Sequence, residues 1–180
     1  MDKVAKPWSV PVTVEHIPDA GLHMDIEAPE AARAQIAGLA GLRDLPRLAA
    51  AFDLARVGAE LHLTGHVKAK VGQICVVSLE PIESEVTETV DLRFFPTAEI
   101  TEAEPQKLRQ RPKGDDEPPE PLIGGTIDLG ALAVEFLVLG IDPYPRKPGV
   151  EFAPPKAEDG GEHPFAALET LKKQLGGGQS

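Results

Sequence analysis

The chain has 180 residues, a hydrophobic fraction of 42%, only 4% aromatic residues and a formal net charge of −11. That length suits one ordinary domain, or one domain with tails. The charge excludes a DNA-duplex module, because phosphate contacts dominate nucleic-acid affinity and no segment is basic: residues 1–96 sum to −5, 97–120 to −3 and 121–180 to −3. The acidic balance favours a basic protein partner instead. No run approaches the roughly 20 apolar residues that span a bilayer, which argues against a membrane. A single cysteine cannot form an internal disulfide, and no apolar run follows the charges at the N-terminus. A cytoplasmic setting is expected.

Val10, Val12 and Val14 alternate with polar or turn residues and read as a first strand. Pro29 opens a helix whose weak apolar stripe is Ala31, Ala34, Ile36, Leu39 and Ala40. Around Leu48–Val57, Phe52 and Leu54 share a face of an extended segment, although the alanine run there also suits a helix. Leu61, Leu63, Val67, Ala69 and Val71 then alternate with Glu60, His62, Thr64, His66, Lys68 and Lys70, the pattern of a half-buried antiparallel strand. Ile74 and Val76 fall out of that phase, which predicts a bulge or bend at Gly72-Gln73. Glu80-Pro81 makes a turn. Ile82, Val86, Val90, Leu92 and Phe94 alternate beyond it, completing a long hairpin with a well-fixed register.

Residues 97–121 hold acids, Lys107, Arg109, Arg111 and a proline cluster in place of any apolar period, and read as a flexible acidic insertion. Asp128 is a good N-cap for a helix with Leu129, Leu132, Ala133, Phe136 and Leu137 on one face. Gly140 supplies its stop, with Pro143 just beyond. A short helix at Phe165–Leu175 follows an acidic linker. The expected fold is α+β: an antiparallel sheet dominated by the hairpin 59–76 and 82–95, covered by two or three helices. The expected layout is an N-terminal αβ region (1–96), the insertion (97–121), the helix and proline-rich segment on the same domain (122–152), and a linker with a final helix (153–180).

Three constellations carry chemistry. Cys75 as a nucleophile needs a base, and His62 or His66 could be offered, but they lie on the polar face of the strand. As a zinc ligand it finds Ser78 at the Cys-x-x position, a poor ligand. The plainer reading is a small buried thiol, and Cys75, Glu80, Pro81, Asp128 and Glu135 are read as structural. His62, His66, Lys68 and Lys70 make a mildly basic stripe that could touch phosphate or carboxylates, or simply pair with Glu83, Glu85, Glu88 and Asp91. In Asp142-Pro143-Tyr144-Pro145-Arg146-Lys147-Pro148-Gly149, three prolines hold the backbone extended around the only tyrosine. Tyr144, Arg146 and Lys147 are the candidate interface residues, unless the ring packs back on the preceding helix. No catalytic, cofactor or metal motif accompanies them.

The stretches Gln73-Ile74-Cys75-Val76-Val77-Ser78-Leu79-Glu80-Pro81, Asp128-Leu129-Gly130-Ala131-Leu132 with Glu135-Phe136-Leu137, and Asp142 to Gly149 resemble the YceD family of large-ribosomal-RNA-subunit accumulation proteins. Pro164-Phe165-Ala166-Ala167-Leu168 resembles its C-terminal end, so the likeness spans roughly residues 8–175. It implies a factor for accumulation of 23S rRNA and ribosome biogenesis, without catalysis, bound to large-subunit rRNA or to a basic large-subunit ribosomal protein. Some branches carry Cys-x-x-Cys where this chain has Ser78, so a zinc role is not carried over. The alternative function is a cysteine-dependent hydrolase or redox enzyme using Cys75.

Overall fold

In the computed structural model the described residues are 6–58, 60–97 and 120–152. Seven strands and two α-helices follow in the order β1 (Pro11–Thr13), β2 (Leu22–Glu27), α1 (Glu30–Leu39), β3 (Asp44–Val57), β4 (Glu60–Ile74), β5 (Pro81–Thr97), β6 (Glu120–Ile123), β7 (Thr126–Asp128) and α2 (Leu129–Gly140), with a 3-10 turn at Val14–His16 after β1. A five-stranded sheet is ordered β2-β3-β4-β5-β6, and β1 pairs with β7 separately. The fold is α+β. The sheet is antiparallel except at β6, which lies parallel to the end of β5. The residues described up to Val150 belong to one compact unit.

The alanine-rich β3 is a strand because its large side chains, Leu48, Phe52 and Leu54, recur at a period of two and all point inward. Helix propensity in Ala49–Ala51 is overridden by pairing on both sides, with β2 and with β4. On β4 the inward set is Leu61, Leu63, Val67, Ala69, Val71 and Gln73, met from β5 by Val86, Val90 and Phe94. Gly65 belongs to the same inward row because Phe52 lies over it and a Cβ there would run into the Ala51 carbonyl. α1 packs on β3, while α2 packs chiefly on β4 and β5. Their buried side chains share one apolar cluster with the sheet.

Several sequence expectations need correction. β2 was not foreseen, although Leu22, Met24 and Ile26 alternate with His23, Asp25 and Glu27; six residues give the period little statistical weight. The buried stripe of α1 is Ala32, Ile36 and Ala37, while Ala31, Ala34 and Leu39 face solvent. Alanine lacks the contrast to mark a face, and only the fully buried Ile36 does so. β4 does not bulge at Gly72-Gln73. Its register against β5 runs unbroken from Leu61↔Phe94 to Ile74↔Pro81, and the irregularity lies on β3 between Asp44 and Arg47. Gly140 has no left-handed backbone; it is small because Val86 and Glu88 of β5 occupy the place of a Cβ. The segment 97–121 ends in strands, with Thr97 in β5 and Glu120-Pro121 in β6. Residues 98–119 and the Phe165–Leu175 segment lie outside the described residues.

α2 starts where the sequence places it. The Asp128 carboxylate accepts the Ala131 N–H (3.1 Å), the Val10 N–H (2.9 Å), the Ser9 hydroxyl (2.9 Å) and the Lys6 ammonium (2.9 Å). Burial pushes its pKa up, but those four donors outweigh burial and hold it at about 2. Leu129, Ala133 and Leu137 are fully buried; Leu132 and Phe136 are half-buried beside them. The helix thereby delivers the proline-rich segment to the far end of the hairpin. Among the described residues no helix is long and apolar enough to cross a membrane.

Candidate functional site

β4 ends at Ile74 and the chain turns through Cys75–Glu80 into β5. The Cys75 N–H donates to the Glu80 carbonyl (2.9 Å) and the Leu79 N–H to the Cys75 carbonyl (3.0 Å). To close this turn Leu79 adopts φ 59°, a left-handed conformation that costs a residue with a Cβ on the order of 1–2 kcal/mol. Its side chain is also 75% exposed. A strained backbone presenting a large apolar side chain to water is a functional signal.

The segment after α2 grips this turn from the side. Gln73, buried in line with the apolar row of β4, donates its amide to the Asp142 carbonyl (2.8 Å). The Asp142 carboxylate accepts the Tyr144 N–H (2.8 Å), and the Val76 N–H donates to the Pro145 carbonyl (2.9 Å). The Cys75 sulfur accepts the Lys147 N–H (3.3 Å) and the Ser78 N–H (3.4 Å). The Lys147 ammonium reaches the Glu80 carboxylate at 2.8 Å. These donors set the local electrostatics. The Lys147 amide first, and Ser78 next, bring the thiol down to about 6. The Lys147 ammonium holds the Glu80 carboxyl below its ordinary range, and Glu80 raises Lys147 in return.

Pro145 is buried in this joint while Tyr144 stands 71% exposed, so the ring does not pack back on α2. Ile74 and Val76, each 44% exposed, and Leu79 surround the same end of the hairpin, with Arg146 exposed beside them. The result is a platform of apolar side chains on a backbone fixed by hydrogen bonds. Sequence reading missed Ile74, Val76 and Leu79. Their signal was the phase slip read as a bulge: apolar residues on the polar register of a strand end mark exposed surface.

Cys75 itself is fully buried. His66 precedes it by nine residues of extended chain, roughly 30 Å, and His62 lies farther still, so neither can serve it as a base. Its observed part is that of an acceptor joining two chain segments. Among the described residues no group of three or more His, Cys, Asp or Glu side chains is placed to hold a metal. Pro81 starts β5, and Glu135 is exposed on α2.

The basic stripe lies on the outer face of the sheet, away from the platform residues of the turn. His62 pairs with Asp91 (2.7 Å) and Lys70 with Glu83 (2.7 Å). Glu88 does not join them, because its place opposite Val67 turns it toward the inner face, beside Gly140. His66 and Lys68 face outward with no ion pair among the described residues.

The family model described as large ribosomal RNA subunit accumulation protein YceD matches residues 63–172, more than half of the chain. The chain belongs to the YceD family. The YceD match takes in most of β4, the whole Cys75–Glu80 turn, α2 and the 142–149 segment, so every part of the platform lies within it. No curated protein and no solved structure matches the chain.

Proposed function

We propose that this chain is a non-catalytic biogenesis factor of the large ribosomal subunit, and that it acts by binding a basic large-subunit ribosomal protein through the hairpin-end platform. The observation that carries this reading is the exposed Tyr144 on a backbone already fixed by Gln73, Val76 and Cys75, at the same end of the hairpin as the exposed Leu79. A rigid aromatic in such a setting loses little entropy on binding and is the usual kind of hot spot. The family description supplies the ribosomal context, and the charge of −11 complements a basic partner. A cytoplasmic location fits that role.

A crosslinking pull-down resolved into protein and RNA fractions tests the proposal. Wild-type protein is expected to capture a basic ribosomal protein. Replacing Tyr144 and Arg146 by alanine should weaken that capture by about 1–3 kcal/mol each while the melting temperature holds. Undiminished protein capture by the double variant would show that the platform is not the contact. Catalysis through Cys75 would instead show as an activity lost in Cys75→Ser with partner capture intact.

A further inference from the structure

The outer face of the sheet carries a groove of about 740 Å³. Strand register places Glu27, Ala49, Lys68 and Thr87 on one rung across it, and Asp25, Ala51, His66 and Thr89 on the next. Arg47 stands directly opposite Lys70 on a third. The two alanines, half-buried, leave a trough along β3 between taller side chains on both sides. Strands lie about 4.8 Å apart, so the acidic wall on β2 and the basic wall on β4 are separated by roughly 10 Å.

Of the basic side chains that line this groove, only Lys70 is paired, with Glu83 at 2.7 Å. Among the described residues, five basic side chains make no hydrogen bond or ion pair: His16, Arg47, His66, Lys68 and Arg146. Three of these, Arg47, His66 and Lys68, line the groove. Like charges directly opposite each other on neighbouring strands repel, yet Arg47 and Lys70 are so placed, with only Lys70 answered by a carboxylate.

We propose that the groove takes a short single-stranded RNA segment, its phosphates along the β4 wall and its bases over the alanine floor. This rests on the family-level role in ribosomal RNA accumulation, but not on the platform or its protein partner. Successive outward side chains on β4 are about 6.8 Å apart, close to the separation of neighbouring phosphates in an extended nucleotide strand. Asp25 and Glu27 on the opposite wall can accept hydrogen bonds from base amino groups, and the His66 ring offers a stacking surface. A trough this narrow excludes a duplex. An acidic peptide would satisfy the cations equally well, but its carboxylates bring no donor to Asp25 and Glu27, whereas a nucleotide strand carries phosphates on one edge and amino groups on the other, so the two walls together favour RNA.

Fluorescence anisotropy with a labelled single-stranded hexaribonucleotide and the full chain at low salt tests the proposal. Binding is expected to fall with salt at a slope of about −1.4 in log K against log[salt], the value for two phosphates neutralised by Arg47 and Lys68. Lys68→Glu and Ala49→Leu should each weaken binding about tenfold or more, one by reversing a charge and one by filling the floor. Lys68→Gln serves as a milder probe should either of these fold poorly. Tyr144→Ala should leave RNA binding unchanged, which separates this site from the platform. Absence of binding at low salt would overturn the proposal. So would equal affinity in Lys68→Gln and Ala49→Leu, or competition by a glutamate-rich peptide or inorganic phosphate as effective as by RNA.

Discussion

The two ends of α2 are fastened by different chemistry. At its start, Asp128 is a carboxylate accepting four donors, from Lys6, Ser9, Val10 and its own helix. Past its end, Cys75 is a buried thiol accepting two backbone N–H groups, one from its own turn and one from Lys147, 72 residues away. The carboxylate caps a helix and ties down the N-terminal strand. The thiol fixes a loop that presents Tyr144. The difference teaches that the same device, a side-chain acceptor for distant backbone donors, fastens a helix start at one end and fixes the loop that exposes Tyr144 at the other.

Breaking the thiol joint should have the larger effect. Cys75→Ala leaves the partly buried Lys147 and Ser78 amides without their acceptor and empties the fully buried place of the sulfur, and melting is expected to fall on the order of 10 °C. Partner capture should drop even where the protein is folded, and Cys75→Ser, whose hydroxyl can accept, should recover part of both. A Cys75→Ala protein that melts like wild type would deny the sulfur its structural part.

Breaking the carboxylate joint comes next. Asp128→Ala is expected to cost about 2 kcal/mol, or roughly 4–8 °C, while leaving the platform and its partner untouched. The carboxyl is held at about 2 from an ordinary 3.8. Its contribution is therefore complete above about pH 4 and disappears as pH falls toward 2. Urea titrations between pH 2 and 5 should show this limb in wild type and lack it in Asp128→Asn.

A subtler effect belongs to the thiol's proton. With Cys75 lowered to about 6 from 9.0, its contribution is full above pH 9 and is lost as pH falls through 6. Stability should rise between those limits, and native thiolate absorbance should emerge near pH 6; both should vanish in Cys75→Ser. Smallest of all is Lys147→Ala. It removes an exposed ion pair with Glu80 but keeps the amide that holds the sulfur, so melting should shift by about 1 °C or less.

Much of the architecture could be read in advance from local pattern. The Leu61–Val71 and Val86–Phe94 alternations foretold the hairpin, and Asp128 before Leu129 foretold the start of α2. The misreadings share a cause. Ile74 and Val76 were assigned to the buried side because they are apolar, whereas Gln73 holds the inward register through its bond to Asp142. Gly140 was assigned a helix-stopping role, whereas the side chains of Val86 and Glu88 require its small size. In both places the deciding neighbour lies more than fifty residues away in the chain.

What the sequence alone determined is what depends on near neighbours: period-two strands, helix starts, a proline-stiffened loop and a family likeness. Tertiary structure alone decided the site. It brought the amide of Lys147 to Cys75, turned Tyr144 outward by burying Pro145, and set the unpaired Arg47, His66 and Lys68 around an alanine floor. The physical reason is that hydrogen-bond partners and strand register are fixed by long-range packing, where a residue's meaning comes from what is laid beside it and not from its place in the chain.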